Sequence, residues 1–124
     1  MQYIYQATLE RVVDGDTVDI VIDLGFSTFR KERIRLYGID APEINTPEGR
    51  YVKSILTERL NEGGLKIRTI KDKRDKYGRY LGVFYTLGSD PADNVAELIE
   101  NKQMDDSSIN SYLVRRALAK ERYW

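Results

Sequence analysis

Between residues 17 and 23 the chain alternates strictly: Val18, Ile20 and Ile22 interleave with Thr17, Asp19 and Asp23. That is the period of a strand with one face buried. The run 3–12 before it is rich in Tyr, Ile, Val and Thr and predicts another strand, with Asp14-Gly15 as the tight-turn signal between the two. Leu24-Gly25 opens a second turn. Residues 28–37 then form a third extended run, in which Arg35 separates Ile34 from Leu36. If the second and third runs pair antiparallel, the start of one lies beside the end of the other. Asp16 and Asp40 are then neighbours despite the sequence between them.

The period changes after residue 45. Thr46-Pro47-Glu48 opens a helix, with Thr as N-cap, Pro at the first helical position and Glu in the first turn. Val52, Ile55, Leu56 and Leu60 recur at helical spacing, and Gly63-Gly64 stops the helix. Strands are predicted near 65–71 and 79–86, joined by the charged loop KDKRDKYG. A last helix is predicted from about Ser108 to Lys120, with Ile109, Leu113 and Ala117 on one face. The acidic, turn-rich stretch from 88 to 108 contains a short helix near 94–101. The order β-β-β-α-β-β-α predicts an α+β fold: one domain over 1–124, a five-stranded barrel with helices, of the partly open oligonucleotide-binding (OB) type.

Composition narrows the chemistry. The 124 residues are 41% hydrophobic and 32% charged, as expected of a folded globular chain. There is no cysteine and no histidine, so thiolate metal sites, disulfides and imidazole bases are excluded. Acid–base work falls to Asp, Glu, Lys, Tyr or water. No apolar run approaches membrane-spanning length. No basic start followed by an apolar stretch marks a secretory signal, so a cytoplasmic location is expected unless a signal was removed before residue 1. Twenty basic residues balance twenty acidic ones, but unevenly. Residues 66–79 hold seven basic residues against two acidic, and residues 90–106 hold six acidic against one basic. Such runs are usually solvated faces; here the basic one adjoins a candidate phosphate site.

Three short segments carry that site: VVDGDTV, RIRLYGIDAPE and DKYGRYLG. Asp16 and Asp40, with the backbone carbonyl of Ala41, are candidate ligands for a hard divalent cation. Glu43 follows Pro42, which restricts the backbone, and is the candidate to activate an attacking water. Arg35 and Arg79 are candidate phosphate clamps, because a guanidinium offers planar, bidentate donors and stays charged. Lys76 and Tyr77 in the same loop are candidates for a second phosphate and a base or sugar, and Tyr123 is a further stacking candidate. Each has an ordinary reading as well: aspartates in turns, a surface glutamate, tyrosines packed in strands. Asp14 is read as a turn residue only.

Together, DGDTV, RLYGIDAPE, DKYGR and LVRRALAK resemble the staphylococcal nuclease (thermonuclease) family over about residues 8–123. The resemblance implies an OB barrel and calcium-dependent hydrolysis of DNA and RNA, with cleavage of the P–O5′ bond and 3′-phosphate ends. It assigns Asp16, Asp40 and the Ala41 carbonyl to the metal, Glu43 to the water, and Arg35 and Arg79 to the phosphate. Magnesium or manganese are the alternatives to calcium. Ala41 stands where the family often has threonine, and the stretch 88–107 resembles an insertion. A further C-terminal helix common in the family does not follow LVRRALAK. That leaves three expectations: a smaller core, a partner copy covering the gap as a homo-oligomer, or a chain cut short. The rival functions are a non-catalytic OB module gripping single-stranded nucleic acid, and a protein-interaction domain that uses the acidic stretch.

Overall fold

The structure, a computed structural model, describes residues 4–71, 80–86 and 88–123. Three antiparallel strands come first: β1 (Ile4–Asp14), β2 (Thr17–Asp23) and β3 (Phe29–Leu36). A two-residue strand β4 (Ile39–Asp40) leads to helix α1 (Pro47–Leu60). Then come β5 (Lys66–Lys71), β6 (Tyr80–Tyr85), helices α2 (Val95–Glu100) and α3 (Ile109–Arg115), and a second two-residue strand, β7 (Lys120–Glu121). The five long strands close a barrel in the order β1-β2-β3-β6-β5, in which only the β3–β6 pairing is parallel. This is the OB-type barrel that the pattern predicts, closed rather than partly open. Strand β1 is eleven residues long and pairs with both β2 and β5; irregularities after Leu9 and Val12 bend it around the corner.

The alternation seen in the sequence does the folding work. Val18, Ile20, Ile22, Ile34 and Leu36 point into the barrel and are at most 5% exposed. Leu56 and Leu60 of α1 and Ile109 and Leu113 of α3 join the same core. Helix α1 starts as its sequence dictates: the Thr46 hydroxyl accepts the N–H of Gly49, and Pro47 occupies the first turn.

The C-terminal end differs from expectation. Helix α3 stops at Arg115, because Ala117 takes a left-handed conformation (φ 56°) and the Leu118 N–H donates to the Leu113 carbonyl at 2.8 Å. Ala117 is a good helix former, so local propensity favoured a longer helix. The pairing of Lys120 and Glu121 with Asp40 and Ile39 overrides it. No helix among the described residues is long and apolar enough to cross a membrane.

The acidic stretch is ordered against the barrel. Asp105, 5% exposed, accepts the Tyr85 hydroxyl at 2.7 Å, the Ala92 N–H at 2.9 Å, and the Ser107 hydroxyl and N–H at 2.8 and 3.1 Å. Asn110, fully buried, bridges the parallel strands: its amide donates to the carbonyls of Tyr37 and Gly82, and its oxygen accepts the Phe84 N–H. Both are satisfied polar hubs that fasten the C-terminal half to β6.

Candidate functional site

The β1–β2 turn delivers Asp16. Its own N–H donates to Asp14 Oδ1 at 3.1 Å, an Asx-type turn that fixes the corner. Gly15 sits where a Cβ would lie 2.7 Å from the Ala41 Cβ and 2.8 Å from Val52 Cγ1. Only glycine lets this turn close onto the segment after β4. In that position Asp16 Oδ2 accepts the Ala41 N–H at 3.0 Å, and Oδ1 accepts the Thr17 hydroxyl at 3.2 Å. The predicted side-by-side placement is thus realised as a direct bond from Asp16 to the residue after Asp40.

Asp16 is 7% exposed. Burial, and next the adjacent Asp14 side chain, push its pKa up from 3.8 to about 6; the Ala41 N–H and the Arg35 charge pull the other way and lose. Arg35 explains part of that balance. Its register partner across the hairpin is Thr17, and its Nη2 lies 3.8 Å from Asp16 Oδ2 and donates to the Ile39 carbonyl at 3.3 Å. The guanidinium therefore bridges the carboxylate and the start of β4, with its side chain one-third exposed.

Asp40 sits on β4 opposite Lys120 of β7, and its Oδ2 is 3.4 Å from Arg122 Nη1. Arg122 is anchored in turn by its own N–H, which donates to the Gly38 carbonyl at 2.8 Å. Nothing local in the sequence signals this arginine, because it reaches Asp40 only through the β4–β7 pairing.

Glu43 is exposed, but its backbone is locked to the start of α1. The Glu43 carbonyl accepts both the hydroxyl and the N–H of Thr46, at 2.6 and 3.1 Å. A Cβ on Gly49 would lie only 1.8 Å from that same carbonyl oxygen. Thr46 and Gly49 thus hold the Glu43 main chain against the first helical turn. The sequence did carry one signal for this: a glycine inside a helical pattern marks a close approach.

Tyr123 is half-buried. Its ring lies 5.3 Å from that of Tyr37, with the planes 59° apart, and against Gly38. Arg79, Lys76 and Tyr77 lie outside the described residues. The structure therefore brings Asp16, Arg35 and the Asp40–Ala41 backbone together, holds the Glu43 backbone through Thr46 beside Gly49, and sets the Tyr123 ring on Tyr37.

Among the described residues, no group of three or more acidic side chains is gathered around a single point as an ion cage. The available donors are two carboxylates, Asp16 and Asp40, and the carbonyl of Ala41. All are hard oxygens, the type that calcium, magnesium and manganese take, with water completing the shell. The burial of Asp16 fits such an ion, since a cation beside it would hold its carboxylate ionised.

A family model described as staphylococcal nuclease homologue matches residues 33–124. Endonuclease YncB of Bacillus subtilis (strain 168) is 33% identical over 88 residues, covering 65% of this chain and 39% of that protein. The thermonuclease of Staphylococcus intermedius is 35% identical over 79 residues, covering 59% of this chain and 44% of that protein. A probable staphylococcal-like nuclease, CAN3 of Oryza sativa subsp. japonica, is 41% identical over 56 residues, 45% of this chain and 14% of its own. The chain spans less than half the length of each of these relatives.

Proposed function

The chain belongs to the family of staphylococcal nuclease homologues, and from that premise we propose that it is a metal-dependent nuclease. The proposed reaction is hydrolysis of phosphodiester bonds of DNA and RNA to 3′-phosphate ends, with calcium as the cation and magnesium or manganese as the alternatives. The observation that supports this most is the Asp16 carboxylate, buried on the Ala41 N–H and 3.8 Å from Arg35. A buried carboxylate whose bonds do not offset its burial, beside a guanidinium, is a poor structural element and a good half of a cation–phosphate site.

In this reading Asp16, Asp40 and the Ala41 carbonyl hold the cation. When bound, the ion supplies charge neutralisation at the scissile phosphate. Glu43 accepts the proton of the water that attacks phosphorus. The new P–O bond forms in line as the P–O5′ bond breaks, and the leaving 5′ oxygen takes a proton from solvent water. Arg35 donates to the phosphoryl oxygens, where charge grows, and such donors are worth roughly 10²–10³ in rate. Arg79 has the same role by resemblance.

The test is a gel of single-stranded DNA incubated with the protein, with added calcium and with chelator. Degradation with calcium and none with chelator is expected. Glu43→Gln is expected to lower turnover by roughly 10²–10⁴; undiminished cutting by that variant removes Glu43 from the water-activating role. One observation favours the alternative, an OB module that binds single strands without cutting: Asp40 is already engaged by Arg122. That reading expects salt-sensitive binding and no product at any metal concentration.

A further inference from the structure

Among the described residues, two guanidiniums flank the two candidate carboxylate ligands. Arg35 lies 3.8 Å from Asp16 Oδ2 and is the proposed phosphate donor. Arg122 lies 3.4 Å from Asp40 Oδ2 and has no part in the reaction proposed above.

Arg122 is put there by a chain of contacts. The left-handed Ala117 ends α3, and β7 then runs back along β4, with Lys120 opposite Asp40 and Glu121 opposite Ile39. Directly opposed residues of an antiparallel pair share a face, so Lys120 and Asp40 lie on the same side. One residue past β7 the Arg122 N–H donates to the Gly38 carbonyl at 2.8 Å, which carries the pairing on. Tyr123 closes the joint. Its ring rests on Tyr37, and a Cβ on Gly38 would lie 2.8 Å from Tyr123 Cε1 and 3.0 Å from Met104 Cε. The Tyr37 hydroxyl donates to the Ile99 carbonyl at 3.0 Å, so the stretch 88–108 backs the same joint.

The ion pair itself is exposed, with 55% of the Arg122 side chain and 35% of that of Asp40 open to solvent. Such pairs add little to stability. Main-chain bonds and packed rings hold β4 and β7 together without it. The fold therefore gives Asp40 a fixed positive neighbour that the fold does not need.

We infer that Arg122 is a built-in competitor for Asp40, which holds down the affinity of the cation site and so sets the cation concentration at which it fills. The inference rests on the cation reading of Asp16, Asp40 and the Ala41 carbonyl, and adds what tunes that site. A carboxylate oxygen engaged by a guanidinium is poorer as a ligand for a cation. The guanidinium charge also repels any cation that takes its place. A unit charge ~5 Å from a divalent cation in a solvent-exposed site changes the affinity by ~10-fold at low ionic strength. The Asp40–Arg122 contact is then a threshold on activity.

The test is calorimetric titration of calcium into the metal-free chain, with no nucleic acid present, for the parent, Arg122→Met and Arg122→Lys. Arg122→Met keeps an unbranched apolar stem without the charge and is expected to bind calcium ~10-fold more tightly than the parent. Arg122→Lys keeps the charge and is expected to stay within about threefold of the parent. The gain of Arg122→Met should shrink as salt is raised to ~0.5 M. A tighter site is not what a damaged fold produces, so the sign separates competition from a structural role. Equal or weaker calcium binding by Arg122→Met overturns the inference, as does an Arg122→Lys that gains as much as Arg122→Met. If calcium binds none of the three, the cation assignment and this inference fall together. If calcium binds but single-stranded DNA stays uncut, the nuclease reading fails alone and the titration still decides the role of Arg122.

Discussion

Asp16 and Asp105 are both aspartates, both at least 93% buried, and they titrate in opposite directions. Asp105 is surrounded by donors: a tyrosine hydroxyl, a serine hydroxyl and two backbone N–H groups converge on its two oxygens. Burial alone would push its pKa up, but these bonds outweigh burial and hold it below the ordinary value. Asp16 has one backbone N–H, a threonine hydroxyl and an arginine at 3.8 Å, with Asp14 beside it. Burial wins there. The difference separates a carboxylate whose bonds outweigh its burial from one whose bonds do not. The first organises structure; the second costs stability when ionised, and a cation beside it would offset that cost.

The largest effect is expected at the satisfied aspartate. Asp105→Ala strips the acceptor from the Tyr85 hydroxyl, which is fully buried, and from the N–H groups of Ala92 and Ser107. Leaving buried donors without an acceptor should destabilise the chain by ~3–5 kcal/mol, read as a fall in the urea midpoint at unchanged slope. A loss below ~1 kcal/mol would mean that the stretch 88–108 opens independently of the barrel, and the comparison would break on the structural side.

Asp16→Asn should act with the opposite sign. The move of its pKa from 3.8 to about 6 corresponds to ~3 kcal/mol of penalty on the ionised folded state. Removing the charge should therefore stabilise the metal-free chain at pH 7 by ~2–3 kcal/mol. Calcium should raise the Tm of the parent and leave that of Asp16→Asn unmoved, since only a ligand bound to the folded state shifts its stability. An Asp16→Asn variant that loses stability and still responds to calcium would remove Asp16 from the cation site.

The two aspartates also differ in how far the sequence revealed them. Asp16 was legible because its signals are local: an Asp-Gly turn, an alternating strand after it, and a meander whose geometry returns Leu36 to its side. The barrel was legible for the same reason, since Val18, Ile20, Ile22, Ile34 and Leu36 carry its period in plain view. Asp105 and Asn110 were not, because all their partners except Ser107 are 13 to 73 residues away and meet them only in the fold. Arg122 escaped likewise, since β4 and β7 are two-residue strands too short to leave a pattern. The Thr46–Gly49 lock was half legible: the N-cap was read, but the closeness of the Glu43 carbonyl to Gly49 needs coordinates.

The smallest effect tests both aspartates in one titration of the metal-free chain. For Asp16 the folded pKa of about 6 exceeds the unfolded 3.8, so the penalty is fully present above about 6 and is relieved as pH falls toward 3.8. Stability should rise by ~1 kcal/mol between pH 7 and pH 5, against the usual trend. For Asp105 the folded pKa lies below 3.8, so its stabilisation is fully present above 3.8 and is lost only as pH falls through the lowered value. The urea midpoint should therefore peak between about pH 4 and 5 and fall steeply below that. In Asp16→Asn the rise from pH 7 to 5 should vanish while the acid fall remains. With calcium in excess the parent should lose the rise as well, because the ion then holds the Asp16 carboxylate ionised. A flat parent profile above pH 5 would mean that Asp16 is better solvated than its burial implies, and the contrast between the two aspartates would collapse.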